Sequence, residues 1–274
     1  MAALQLRRLR NDARERVKLG VRGVLGRRNL DLVRDPFPGR VARALQGLGI
    51  DTVIDVGANI GQYGTALRVS GYRGQIISCE PLPPAFAHLR SRVHRDTTWH
   101  AVNRAMGAEQ GTVVLHVAAN SYSSSILCLT DAHLAAAPDS GTVDAIEVPV
   151  STIADLVREY GIVPERAMLK IDTQGYESQV LEGAGALLPQ FAAIQLELSF
   201  VTLYESQELA GDMFRRMDQS GFGLYAWDSS FSDPLSGRLL QADVLFASRR
   251  AMDRPDMELA AATADLGALA LLAR

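Results

Sequence analysis

Thr52-Val53-Ile54-Asp55-Val56-Gly57-Ala58-Asn59-Ile60-Gly61 is the stretch that decides how this chain folds. Its first five residues form a short, β-branched, nearly unbroken apolar run, the pattern of a strand buried on both faces. The glycines that follow permit a tight turn, and Gln62–Val69 continues as a helix. Outward from there the unit repeats. Gly71-Tyr72-Arg73-Gly74 is a turn, and Gln75–Cys79 is a second strand ending at Glu80-Pro81. Pro83 or Pro84 opens the next helix, which reaches Val93, and Thr98–Val102 is a third strand. Strand–helix–strand–helix–strand with short connections indicates an α/β fold, a parallel sheet covered on both faces.

The C-terminal half carries the same grammar. Ser151–Tyr160 reads as a helix capped by Ser151 or Thr152, Ala167–Ile171 as a buried strand ending in Asp172, and Tyr176–Leu187 as a helix stopped by Pro189. Ala193–Leu198 is a strand carrying Glu197, and Glu208–Ser220 is a helix with Gly221 just past its end. Phe222–Trp227 and Asp243–Ala247 make a closing antiparallel pair. Between the halves, Gly111–Val117 alternates like an extra strand, Asn120–Ser125 is a polar loop and Val148–Val150 a short extended piece. Asp35–Gly39 is a punctuated linker before a lead-in helix at Val41–Leu48. The expected organisation is a basic arm or helix with its linker over residues 1–40, a catalytic domain over 41–250, and an Ala/Leu-rich helix or tail over 251–274.

Length and composition agree with one large domain: 274 residues, 47% hydrophobic and 22% charged. Net charge is −3, so no overall field favours nucleic acid, and no nucleic-acid partner is expected. The average hides an asymmetry. Residues 1–28 carry nine basic residues against Asp12 and Glu15, a net +7 that leaves −10 on the rest. Such an arm suits peripheral contact with an acidic surface; an ordinary basic helix packed on the domain fits equally. The start lacks the apolar core of a signal peptide. The two cysteines, Cys79 and Cys128, give neither a disulfide framework nor a metal-ligand spacing, so the cytoplasm is the expected compartment. Whether the chain forms a homo-oligomer stays open.

The turn after the first strand sits where a nucleotide-binding fold needs it, and Glu80 ends the second strand, where a carboxylate can accept hydrogen bonds from ribose hydroxyls. A dinucleotide fingerprint, Gly-x-Gly-x-x-Gly, would need glycine at positions 59 and 62, which hold Asn59 and Gln62. Asp55 would also oppose a pyrophosphate. The same charge suits S-adenosylmethionine, with its ammonium group and cationic sulfur. An NAD-dependent oxidoreductase is therefore the weaker alternative, and a non-catalytic binding protein on the same fold is another.

Three stretches stand together: Asp55-Val56-Gly57-Ala58-Asn59-Ile60-Gly61-Gln62-Tyr63, Cys79-Glu80-Pro81, and Leu169-Lys170-Ile171-Asp172-Thr173-Gln174-Gly175-Tyr176-Glu177. Together they resemble the FkbM family of S-adenosylmethionine-dependent methyltransferases over roughly residues 50–247. Many members carry Glu where this chain has Gln174. The resemblance implies a Rossmann-like seven-stranded methyltransferase sheet with helices on both faces and an antiparallel last strand. It implies O-methylation of a hydroxyl on a sugar, glycan, glycolipid or polyketide-type natural product, so the expected partner is a small-molecule or glycan acceptor. By the same similarity Asp55, Gly57, Asn59 and Gly61 line the methionine and ribose part, Glu80 takes the ribose, and Asn103 lies near the adenine.

An aliphatic hydroxyl is a poor nucleophile, so a base or a metal is useful. Asp172, at a strand end on the ligand edge of the sheet, is the leading catalytic candidate, with Glu197 sharing the cleft. Asp172 also suits a plain helix cap, Glu197 a structural pair, and Glu177 a helix-dipole carboxylate. Mg²⁺ held by Asp172 and Glu197 is an alternative to a direct base; with no third ligand in view, the metal-free version is favoured. His116 and His133 are lesser candidates for the base. Ser124, Tyr204 and Trp227 are the expected acceptor contacts, although the aromatics could equally pack the terminal hairpin.

Overall fold

The computed structural model describes residues 36–120 and 123–253. The basic arm and most of the Ala/Leu-rich tail, as well as Ser121 and Tyr122, lie outside the described residues. Helix α1 spans Phe37–Gly47 and is followed by β1, Thr52–Val56. It begins within the stretch expected to be a linker: Phe37, Val41 and Leu45 recur at helical spacing and are all buried. Next come α2 (Gln62–Val69), β2 (Gln75–Cys79), α3 (Pro83–Val93) and β3 (Trp99–Val102). The middle holds β4 (Ala105–Met106), β5 (Gly111–Ala118), α4 (Asp131–Ala136) and β6 (Thr142–Ser151). The second half holds α5 (Ile153–Tyr160), β7 (Ala167–Ile171), α6 (Glu177–Glu182), β8 (Ala193–Ser199), α7 (Ala210–Gln219), β9 (Phe222–Ser232), β10 (Leu239–Ser248) and α8 (Arg249–Met252).

Among the described residues, seven strands form one sheet in the order β3-β2-β1-β7-β8-β10-β9. The first five are parallel; β10, last in sequence, runs antiparallel to both β8 and β9. This is the Rossmann-like methyltransferase topology. Alternation along the strands splits the core. Ile54, Ile77, Leu169 and Ile194 face α5, α6 and α7, whereas Val53, Ile76, Met168 and Ala193 face α1, α2 and α3. Thr152 caps α5, its Oγ1 accepting from the Asp155 amide at 3.1 Å.

Three departures from the sequence reading matter. Residues 142–151 form a full strand rather than a three-residue piece, and β6 pairs with β4 and β5 in a second, three-stranded sheet. The helix expected over Tyr176–Leu187 ends at Glu182, and a separate 3₁₀ stretch, Gly185–Gln190, follows. Gly183 follows the helix, and a Cβ there would lie 2.0 Å from the Gly107 carbonyl oxygen, so the chain passes too close for a side chain. Strands β9 and β10 run well beyond the pair expected at 222–227 and 243–247.

Candidate active site

The C-terminal ends of β1, β2, β7 and β8 converge on a cleft of about 220 Å³. The β1–α2 turn supplies Gly57 and Asn59, Glu80 follows directly on β2, the β7–α6 turn brings Asp172, Thr173 and Gln174, and β8 brings Glu197. The second sheet closes the opposite wall with Met106 and Leu115, joined by Ser124, Ser125 and Ile126.

The cofactor side is built from backbone. Asn59 adopts φ +47°, and its amide N donates to Glu80 Oε2 at 2.7 Å while the Leu82 amide donates to Oε1 at 2.8 Å. Each Glu80 oxygen keeps a further acceptor site. Burial pushes the Glu80 carboxyl up to about 7, against the lowering pull of those two N–H donors. Gly57 (φ +76°) is where the β1 turn passes the β7 turn: a Cβ there would stand 1.8 Å from the Asp172 carbonyl oxygen. Its lack of a side chain lets two loops meet.

Asp55, expected beside the methyl donor, is elsewhere. It is fully buried and does not line the cleft. It heads a polar row on the face toward α1, α2 and α3, where Ser78, Asp55, Lys170 and Gln195 are successive cross-strand partners on β2, β1, β7 and β8. Lys170 Nζ lies 3.1 Å from Asp55 Oδ1, Ser78 Oγ donates to Asp55 Oδ2 at 3.0 Å, and Trp99 Nε1 donates to Ser78 Oγ at 3.0 Å. Burial alone would lower the Lys170 ammonium's pKa, but Asp55 and then Asp172 outweigh it and push it up. A charge that the sequence offered to a ligand is thus spent on a neighbouring strand.

Four other expected cofactor and acceptor residues also lie off the cleft lining. Gly61 packs under Leu89 and Trp99. Asn103 Nδ2 donates to the carbonyls of Glu80 and Pro81, so it braces the turn that carries Glu80. Trp227 sits exposed on edge strand β9. Tyr204 is fully buried beneath Gly175 and reaches the cleft only through Gln174. Ser124 does line it, and its Oγ accepts from the Ala118 amide at 3.1 Å.

The acceptor side is a side-chain network. Asp172, 33% exposed at its side chain, lies 3.4 Å from Lys170 Nζ through Oδ2. Gln174 Nε2 donates to Asp172 Oδ1 at 2.9 Å and to Glu197 Oε2 at 2.7 Å, and Gln241 Nε2 donates to the same Glu197 oxygen at 2.8 Å. Tyr204 Oη donates to Gln174 Oε1 at 2.7 Å. Burial first, then the charges of Asp172 and Asp243, hold the Glu197 carboxyl well above the usual range. Glu177 is buried in the first turn of α6, where a carboxylate suits the helix dipole, and its Oε1 accepts from the amides of Thr173 (2.9 Å) and Gly175 (3.1 Å), so it also shapes the turn. Burial pushes it up to about 7. His133 is buried against Tyr204 and Phe231, and His116 Nε2 is 3.7 Å from Cys128 Sγ; neither lines the cleft. Lys170 was not singled out from sequence, and Gln174 was noted only as the position where many family members carry Glu. The signal for Lys170 was a lone charge inside an apolar strand, two residues before Asp172.

A family model for the methyltransferase FkbM domain matches residues 55–224, more than half of the chain. The chain belongs to the FkbM methyltransferase family. It is therefore an S-adenosylmethionine-dependent methyltransferase, and the oxidoreductase reading is set aside. No curated protein sequence matches the chain. Among solved structures, similar folds include the METTL16 methyltransferase domain (9% identity, 80% of this chain and 70% of that one, TM-score 0.43). Magnesium protoporphyrin IX methyltransferase of Synechocystis PCC 6803 with bound S-adenosylmethionine aligns at 11% identity over 77% of each chain, TM-score 0.40. TehB of Haemophilus influenzae aligns at 8% identity over 77% of this chain and 62% of that one, TM-score 0.41. Likeness at this level says nothing of the acceptor.

The cleft of this FkbM chain fits its methyl donor. Glu80 presents a buried carboxylate with free acceptor sites for ribose hydroxyls, and Pro81, Met106, Leu115 and Ile126 give an apolar wall for a flat base. Among the described residues no three His, Cys, Asp or Glu side chains group as a metal site, and no helix is long and apolar enough to cross a membrane.

Proposed function

We propose that this methyltransferase acts on a hydroxyl oxygen of an uncharged acceptor, of the sugar, glycan, glycolipid or polyketide class, and that Asp172 takes the hydroxyl proton without a metal. The observation that carries the reading is the pair Asp172 and Glu197 on the cleft wall, with Lys170 beside Asp172. Bound S-adenosylmethionine supplies an electrophilic methyl on a cationic sulfur. The chain's own work is to hold the acceptor oxygen close and accept its proton. Lys170 Nζ lies 3.4 Å from Asp172 Oδ2 and holds that carboxyl at the cleft wall. Glu197, on the same wall, accepts from the side-chain amides of Gln174 and Gln241, and burial with the charge of Asp172 raises its carboxyl well above the usual range. The Asp172 side chain, a third exposed, can pass its proton to solvent.

The lining also supports an uncharged acceptor. The one cation among the described lining residues, Arg104, is paired with Glu159, so a phosphate or carboxylate would meet acids without a free counter-charge. The test is transfer of labelled methyl from S-adenosylmethionine to panels of sugars, polyols and polyketide alcohols, with amine, thiol and carboxylate panels alongside. Label on hydroxyl oxygen, undiminished by EDTA, supports the reading. Label confined to nitrogen, sulfur or carboxylate overturns it.

A further inference from the structure

We propose that Gln174 is a positioning residue that keeps the acceptor side of the cleft free of divalent cations: its amide nitrogen stands between Asp172 and Glu197, where a shared cation would have to sit. The inference rests on Asp172 and Glu197 being the acceptor-side pair, not on either being the base.

Two carboxylates facing one cleft are the start of a hard-cation site, which is built from carboxylate and carbonyl oxygens. Here an N–H₂ group fills the gap, with one hydrogen toward Asp172 Oδ1 at 2.9 Å and one toward Glu197 Oε2 at 2.7 Å. The amide cannot turn over cheaply. A flip would set Oε1 against both acids and leave the Tyr204 hydroxyl, which now donates to Oε1 at 2.7 Å, facing an N–H₂ group. The backbone is held as firmly. Gln174 sits at φ +56°, a conformation that costs a non-glycine residue, and Ser125 Oγ donates to its carbonyl at 2.7 Å. A strained residue with a fully engaged side chain, on the lining of the cleft, is placed for its amide. A carboxylate at this position would reverse the chemistry. Asp172, residue 174 and Glu197 would then present three convergent acids, with Tyr204 and Gln241 still orienting them.

The experiment uses the full chain saturated with S-adenosylhomocysteine and Mn²⁺ as the probe, read by calorimetry and by the electron paramagnetic resonance of the bound ion. Gln174→Glu is expected to raise Mn²⁺ affinity by about tenfold or more, since ligand charge count tunes such sites over decades. Adding Asp172→Asn to that variant is expected to return the affinity to the wild-type level. Equal affinity in wild type and Gln174→Glu would overturn the proposal, and so would a gain that survives Asp172→Asn. If Gln174→Glu does not fold, Gln174→Gly takes its place, because glycine suits φ +56°. Loss of the amide alone is then expected to strengthen Mn²⁺ binding by about threefold, and unchanged binding would overturn the proposal. Failure of Asp172 as the base would show instead as full turnover in Asp172→Asn, a result on which Mn²⁺ affinity has no bearing.

Discussion

Replacing Lys170 by Met removes the only cation from a buried row and leaves its apolar stem nearly intact. Asp55 is 0% exposed and Lys170 is 4% exposed, with Nζ and Oδ1 3.1 Å apart. At an effective dielectric of about 20 that separation corresponds to an attraction of about 5 kcal/mol, before the cost of desolvating both ions. Without Lys170, Asp55 retains the Ser78 hydroxyl and nothing to balance its charge. Breaking one side of a buried pair costs about 3–5 kcal/mol, a large part of the ~5–15 kcal/mol that holds a domain together. Urea unfolding of Lys170→Met should show that loss as a lower midpoint at unchanged slope. Asp55→Asn with Lys170→Met should recover most of it, because the neutral pair leaves no charge stranded and Ser78 can still hydrogen-bond the amide. A loss below about 1 kcal/mol in the single variant would refute the reasoning, on the scale set for surface pairs. So would a double variant as unstable as the two single losses added, since contacting residues must couple.

Gly57→Ala should destabilise by about 3 kcal/mol or more, because its Cβ would stand 1.8 Å from a backbone oxygen, and melting of the cofactor-free protein will report it; unchanged melting would remove the loop contact from the argument. Glu80 titrates near 7 in the fold against 4.5 unperturbed, so it costs the empty fold stability as pH rises from 4.5 through 7, while ribose hydroxyls favour the ionised form. S-adenosylhomocysteine should therefore bind about five- to tenfold more weakly at pH 6 than at pH 8, with proton release on binding in calorimetry, and Glu80→Gln should flatten the profile. Asp172→Asn should lower kcat by about 10²-fold with cofactor affinity unchanged, and EDTA should leave the parent's kcat intact; normal turnover in that variant would reduce Asp172 to a loop residue. Removal of residues 1–28 should leave S-adenosylhomocysteine affinity unchanged if the arm is separate from the domain, and loss of folding would show otherwise.

The parallel half of the sheet was legible because its strands are buried on both faces. Thr52–Val56, Gln75–Cys79 and Ala167–Ile171 read as apolar runs of the right length, and the structure gives all three those bounds. The second sheet was not legible for the opposite reason. Most of β6 is exposed, so Thr142–Ile146 carries no apolar alternation, and only its buried end, near Val148 and Val150, stood out. Phe37-Pro38-Gly39 read as a linker on its proline and glycine, yet proline is at home in a first helical turn and Phe37 is anchored in the core. Tyr204 and Trp227 shared one expectation and met two fates, burial under Gly175 and exposure on an edge strand, because an aromatic's surroundings depend on strand order.

The two sides of the cleft also differ in how they are encoded. The cofactor side is local: Glu80 is held by the amides of Asn59 and Leu82, and Gly57 and Asn59 supply the left-handed turn. The ends of two successive strands, 21 residues apart, therefore carry it. Asp55 is different: its charge is answered by Lys170, far along the chain but directly opposite in register. The acceptor side is wholly of that second kind. Asp172 depends on Lys170 and Gln174, and Glu197 depends on Gln174 and Gln241, the latter reached only when β10 folds back antiparallel onto β8. The acids alone suggest a base or a metal site equally. Side-chain amides stand between and behind them, and amides leave no charge or spacing signature in a sequence. This wall of the cleft is thus shaped by residues that meet only once distant strands are paired.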